Sequence, residues 1–274
     1  MSEQRILKGA VIGFPIEHSL SPILHRSAFE FLDITGSYER IPVQSGELQE
    51  FFEKAKSEYD YLSITMPLKE EALNLEVEVD FLARKLQTSN TLFKRDGQWH
   101  LTTTDGVGFS DALRNIGRTR FRSALVLGAG GTARAVVGAL DGVSEKITVL
   151  GRTSTRRDVI EASVLNSEFS YERWSDSPHF EEYDLVVNTT PAGAADLLAN
   201  AIVDASSALL FDVIYKPWPT VLASRWQDCG GEVINGSELL LYQGIAQLKL
   251  VVNQSFDEAE LARILRQKLA FSLQ

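Results

Sequence analysis

The apolar positions of this chain change their period along its length, and the changes mark out its elements. Residues 6–13 form a short apolar run closed by glycine, which predicts a strand. Ser21-Pro22 then opens a helix, with serine as its cap and proline in the first turn. Leu24, Ala28, Phe31 and Leu32 give that helix its apolar face. Tyr38–Val43 predicts a strand, and Ser45 caps a helix running to Lys56. The strand Tyr61-Leu-Ser-Ile-Thr65 is stopped by Met66-Pro67, with a further helix expected from Lys69. Asn90–Lys94 and Trp99–Thr103 flank Asp96-Gly97, a hairpin signal.

From Asp105 onward strand and helix patterns alternate. A helix over 107–116 ends at Gly117. Strands over 123–127, 146–150, 184–188, 208–213 and 232–235 then interleave with helices over 131–140, 156–165 and 219–228. Such alternation predicts a parallel sheet covered on both faces. From Ser237 to Ala270 the pattern is helical, in two segments. The expected fold is α/β. An N-terminal α/β domain spans 1–104, with C-terminal helices 237–274 packing back on it. A Rossmann-type, doubly wound domain spans 105–236, and a cleft is expected between the two.

Composition narrows the function classes. A length of 274 residues suits one large domain or two ordinary ones. The net charge of −10 argues against a nucleic-acid groove, so any anion site must be built from local positive groups. No apolar run is long enough to span a bilayer, and Met1–Lys8 lacks the features of a signal peptide. The single cysteine, Cys229, excludes an internal disulfide framework and fits a reducing, cytoplasmic setting. With four scattered histidines it offers no metal-ligand cluster, so no metal is expected.

Two neighbouring segments carry the first chemical signal. Gly128, Gly130 and Ala133 fit G-x-G-x-x-G/A between a strand and a helix. The first glycine makes the turn, the second admits a pyrophosphate, and the small third residue allows close helix–strand packing. An NAD site places Asp or Glu about 20 residues after the fingerprint, to hold the ribose 2′-hydroxyl. Here Leu150-Gly-Arg-Thr-Ser-Thr-Arg156 has no carboxylate but carries Arg152 and Arg156. A guanidinium suits a phosphate, so the expected cofactor is NADP.

Three polar elements lie outside the glycine turn. His18-Ser-Leu-Ser-Pro22 offers two hydroxyls, Ser63-Ile-Thr-Met-Pro-Leu-Lys69 a hydroxyl and an ammonium, and Thr102-Thr-Thr-Asp105 a carboxylate at the domain junction. Taken singly, each has a plain structural reading: Ser21 or Asp105 as a helix cap, Lys69 as a surface charge. Beside a dinucleotide, a lysine and an aspartate make a plausible acid–base pair for hydride chemistry on an alcohol.

The chain resembles the shikimate dehydrogenase family nearly end to end. The resemblance runs through Pro15-Ile-Glu-His-Ser-Leu-Ser-Pro22, Thr65-Met-Pro-Leu-Lys69, Asn90-Thr-Leu92 and Thr104-Asp-Gly-Val-Gly108. It continues through Gly128–Ala133, Arg152-Thr153, Asn188-Thr-Thr-Pro191, Asp212-Val-Ile-Tyr215 and Gly236–Gln243. It implies reversible NADPH-dependent reduction of 3-dehydroshikimate to shikimate, in chorismate and aromatic amino-acid biosynthesis. It also implies that Lys69 and Asp105 form the catalytic dyad, and that Ser19, Ser21, Thr65, Asn90, Tyr215 and Gln243 bind substrate. For the cofactor it implies Gly128, Ala129, Gly130, Gly131, Thr132, Ala133, Arg152, Thr153, Arg156, Asn188, Val213 and Gly236. The sequence departs from the family pattern at Ser63, Thr103 and Gly151, each usually or often Asn, and at Glu238-Leu239, commonly Gly-Met. Two other readings are weighed beside this one: a quinate/shikimate dehydrogenase with relaxed substrate or cofactor use, and a non-catalytic NADP-binding sensor. A small-molecule substrate is expected, with no nucleic acid or membrane partner, in a monomer or homodimer.

Overall fold

The computed structural model describes residues 6–174, 178–205 and 207–273. The chain divides into two compact units, one built from residues up to Thr104 and from Leu240 onward, the other from Asp105–Leu239.

The first unit begins with β1 (Leu7–Gly13), α1 (Ser21–Phe31), β2 (Gly36–Pro42), α2 (Leu48–Ala55) and β3 (Tyr61–Ile64). β4 (Glu78–Val79), α3 (Phe81–Leu86), β5 (Thr91–Arg95) and β6 (Gln98–Thr102) follow. Its six strands form a mixed sheet in the order β2-β1-β3-β5-β6-β4. β5 and β6 pair antiparallel around Asp96 and Gly97, whose φ values of 51° and 80° are those of a tight hairpin turn. One apolar core of this unit gathers Ile12, Leu48, Phe52, Leu62, Leu68 and Leu92. Asp80 caps α3 by accepting from the Ala83 amide at 2.7 Å.

The second unit holds α4 (Asp105–Asn115), β7 (Phe121–Leu127), α5 (Gly131–Leu140), β8 (Ser144–Gly151), α6 (Arg157–Glu161) and β9 (Glu168–Arg173). β10 (Leu185–Asn188), β11 (Leu209–Asp212), α7 (Val221–Asp228) and β12 (Glu232–Ile234) complete its sheet. All six strands are parallel, in the order β12-β11-β10-β7-β8-β9. β10 and β11 are buried throughout, as expected for strands covered on both faces. This is the doubly wound Rossmann-type order, which reverses between β7 and β10 and so opens a crevice beyond their C-terminal ends. Trp226 is fully buried in the core of this unit, edge-on to Phe180. The chain ends with α8 (Gly236–Val251) and α9 (Glu258–Ser272), and the division between the units falls within α8.

Several local expectations are corrected. Ser21 is the first residue of α1 and not its cap; Leu20 holds the cap position without a side-chain bond. Phe31 lies on the exposed side of that helix, while Phe29 is buried. Ser45 is no cap either, because α2 starts at Leu48 and the Ser45 hydroxyl donates to Glu71 at 3.0 Å. The helix expected from Lys69 is only a 3-10 turn, Glu71–Asn74, since the chain soon extends into β4 to pair with β6. The helix expected over 156–165 shrinks to α6, and β9, an unforeseen strand, takes the sheet edge beside β8.

Candidate active site

In the first unit the site is made of side chains that hold one another. Ser19 and Ser21 flank the entry to α1, and the Ser19 hydroxyl donates to that of Ser21 at 3.2 Å. The Arg40 side chain donates to the Ser19 carbonyl at 2.8 Å and fixes the turn. Thr65 directly follows β3, its amide bonded to the Ile12 carbonyl at 2.9 Å. A Cβ on Gly13 would lie 2.5 Å from its methyl group, so glycine lets the two strand ends meet. Lys69 is half-buried, and its carbonyl accepts from both the amide and the hydroxyl of Ser89, at 2.9 and 3.0 Å.

Asn90 is the centre of this region. It is buried, and its amide nitrogen donates to the Thr104 hydroxyl at 3.0 Å and to the Gln243 carbonyl oxygen at 3.2 Å. Its side-chain oxygen accepts from the Thr104 amide and the Thr91 hydroxyl, both at 2.7 Å. Behind it stands Gln247, also buried, which donates to the Thr91 hydroxyl at 2.9 Å and accepts from Ser63 at 2.7 Å. Ser63 in turn accepts from Tyr38 at 2.6 Å. His25 stacks on Tyr38 with ring centroids 4.1 Å apart, and its Nδ1 meets the Tyr61 hydroxyl at 2.8 Å. Burial lowers the His25 pKa to about 3, so at neutral pH its ring is uncharged.

Sequence reasoning missed Gln247, Tyr38 and Thr91 in this network. Gln243 and Gln247 stand four apart on one helix, hence on one face, and a polar pair on so apolar a helix was the available signal. Ser63 was noted as the start of a polar element and as a departure from the family pattern, without these partners. The hydrogen bonds from Tyr38 and to Gln247 show how the shorter side chain is satisfied there.

In the second unit the site is made mainly of backbone and space. Gly128 directly follows β7 with φ of +101°, a conformation glycine adopts without strain. A Cβ there would come within 2.8 Å of the Thr189 hydroxyl, which itself donates to the Leu127 carbonyl at 2.7 Å. Gly130 precedes α5, and no side chain caps that helix. A Cβ on Gly130 would meet only the Arg156 guanidinium, at 3.7 Å. The turn therefore presents the first backbone N–H groups of a helix, with a positive side chain over them, and fits a pyrophosphate. Arg156 donates to the Ala129 carbonyl at 3.4 Å, and Arg152 and Thr153 are exposed just after β8. Gly131, Thr132 and Ala133 form the first turn of α5.

Asp105 opens α4 and is buried; the Thr132 hydroxyl lies 3.5 Å from its carboxylate. Gly106 permits this approach, because a Cβ there would sit 3.0 Å from the Ala135 carbonyl on α5. Asn188 ends β10 fully buried, donating to Asp212 at 3.1 Å and accepting from the Thr190 hydroxyl at 2.7 Å. Burial raises the Asp212 pKa, against bonds from Thr220, the Ile214 amide and Asn188. The Val213 amide donates to the Asn188 carbonyl at 3.0 Å. Gly236 lies against the Val213 carbonyl so closely that its Cβ would be 2.0 Å away. Tyr215 is half-buried on the segment after β11. Among the described residues no group of histidine, cysteine and carboxylate side chains could hold a metal, and no helix is long and apolar enough to cross a membrane.

A doubly wound sheet with a glycine turn at its switch point, followed by arginine and not by a carboxylate, belongs with the dinucleotide-dependent oxidoreductases. The comparisons make this specific. A family model for the shikimate dehydrogenase substrate binding domain matches residues 11–92. The shikimate dehydrogenase (NADP(+)) of Staphylococcus epidermidis is 31% identical over 270 residues, covering 96% of this chain and 98% of that protein. The crystal structure of Mycobacterium tuberculosis shikimate dehydrogenase superposes with a TM-score of 0.84 at 31% identity, covering 95% of this chain and 99% of that one. The Thermus thermophilus enzyme, solved in complex with NADP(H) and shikimate, gives 0.82 at 30% identity, covering 96% and 99%. The chain belongs to the shikimate dehydrogenase family.

Proposed function

We propose that this protein catalyses the reversible, NADPH-dependent reduction of 3-dehydroshikimate to shikimate, on the route to chorismate and the aromatic amino acids in the cytoplasm. The observation that carries the reading is Asn90, held in one orientation by Thr104, Thr91 and Gln243. A polyhydroxylated ring needs donors and acceptors fixed in advance, and a site built that way rejects analogues lacking the hydroxyl. Support for the substrate and cofactor comes from the relatives, one of which was solved with both shikimate and NADP(H).

In this reading each unit contributes residues with a distinct role. Ser19 and Ser21 bind the substrate carboxylate, with Tyr215. Thr65, Asn90, Asp105 and Gln243 bind the ring hydroxyls. Lys69 and Asp105 form the acid–base pair. In the reducing direction the Lys69 ammonium gives its proton to the ketone oxygen as that oxygen becomes an alcohol. Asp105 accepts the hydrogen bond of the new hydroxyl and keeps the lysine side chain in place. In the reverse direction the neutral Lys69 amine takes the hydroxyl proton. Bound NADPH supplies the hydride to the ring carbon. Residues 128–133 would hold its pyrophosphate, Arg152, Thr153 and Arg156 its ribose 2′-phosphate, and Asn188, Val213 and Gly236 its nicotinamide end.

The test is a side-by-side assay of the purified protein with shikimate and with quinate, each with NADP+ and NAD+. A rise at the reduced-nicotinamide absorbance band with shikimate and NADP+ is expected. No rise with shikimate and either cofactor rejects the proposal, and a faster rate on quinate reassigns the substrate.

A further inference from the structure

Position 151 stands where a Rossmann-type unit places the side chain that reads the ribose next to adenine. Here it is glycine, and the reason is space: its φ lies outside the left-handed region, but a Cβ would be 1.7 Å from the Tyr171 hydroxyl oxygen and 2.5 Å from Tyr171 Cζ. Tyr171 comes from β9. It pairs with Val149, two residues before Gly151, so its side chain leaves the same face of the sheet as position 151. The ring then leans along β8 until its hydroxyl donates to the Thr153 carbonyl at 2.7 Å. The edge strand thus fills the position that β8 leaves bare.

We propose that Tyr171 is a specificity-determining residue for the cofactor. Its phenol occupies the ribose-reading position, keeps any carboxylate out of it and pins the Gly151–Thr153 backbone, which carries Arg152 and leads into the turn that carries Arg156, the two arginines that serve the 2′-phosphate. This rests on the NADP reading above and extends it. The chemistry is consistent. The phenol proton is committed to Thr153, which anchors the phenol at this position. It carries no charge to repel a phosphate, as a carboxylate would. Arg156 is close enough for its charge to oppose the effect of burial on the phenol.

The full-length protein is titrated calorimetrically with adenosine 2′,5′-bisphosphate and with 5′-AMP, which differ at the 2′ position only. The wild type binds the bisphosphate more tightly. Tyr171→Phe keeps the ring and drops the bond to Thr153; it weakens bisphosphate binding about fivefold, with little effect on 5′-AMP. Gly151→Ala displaces the phenol and costs about tenfold, but costs little when introduced into Tyr171→Ala, because the clash is gone. Wild-type affinities in Tyr171→Phe, equal losses for both nucleotides, or an undiminished cost of Gly151→Ala beside Tyr171→Ala would each overturn the proposal. Should Tyr171→Ala fail to fold, Tyr171→Phe alone decides. A wild type that binds both nucleotides equally rejects the NADP reading itself, and the proposal with it, before any substitution is made.

Discussion

The two units set their candidate residues in different materials. The first uses side chains locked to one another in the interior, from Tyr38 through Ser63 and Gln247 to Asn90 and Gln243. The second uses backbone N–H groups, glycines that leave room, and arginines on the exposed edge. The difference follows from the ligands proposed for them. A small hydroxylated ring is read by a few groups whose orientation must be set in advance, and burial sets it. A pyrophosphate is large, charged and flexible, and the end of a helix meets it without any particular side chain.

The comparison can be broken at several points. The largest effect is expected at Lys69, the proposed proton donor of the side-chain half. Lys69→Ala should lower turnover about a thousandfold while shikimate binding, measured directly, changes little. An unchanged rate would remove the lysine from the mechanism. Next is Gln247→Leu, which takes partners from Thr91 and Ser63 inside the core. A loss of about 3 kcal/mol in urea unfolding is expected, together with a raised KM for shikimate. Wild-type stability would show that the network is incidental.

A third test uses pH. His25 is neutral in the folded state, with its pKa lowered to about 3, but takes a proton when unfolded below pH 6.5. The unfolded state then binds more protons, so stability falls as pH drops from 6.5 toward 3, by about 1.4 kcal/mol per pH unit. Urea unfolding of His25→Leu against wild type should show the gap moving in the variant's favour by about 2 kcal/mol between pH 7 and pH 5. Parallel curves would contradict it. The smallest effect sharpens the backbone half. Gly130→Ala meets only the Arg156 guanidinium, so the melting temperature should hardly move while NADP+ affinity falls about tenfold. Gly128→Ala, at positive φ and against Thr189, should instead cost about 1–3 kcal/mol of stability. Equal behaviour of the two glycines would erase the distinction between turn and cradle.

The sheet of the second unit was largely legible because β10, β11 and the C-terminal parts of β7 and β8 are buried and read as apolar runs. β9 was not: it is a half-exposed edge strand, and its Glu-Phe-Ser-Tyr-Glu-Arg sequence carries a weak pattern. The caps assigned to Ser21 and Ser45 failed because their hydroxyls bond elsewhere, to Ser19 and to Glu71. Gly128 stands out from its spacing, and Asn90 and Gln243 from the resemblance to the family. Gln247 and Tyr171 do not, since each matters only through a partner distant in sequence.

The sequence by itself determined the alternation of elements, the glycine turn and the order of the motifs, all of which depend on neighbours within a few residues. Tertiary structure decided which side chains surround the candidate residues. Gln247 meets Asn90, and Tyr171 covers Gly151, because sheet register and helix packing bring them together, and no local pattern encodes such contacts.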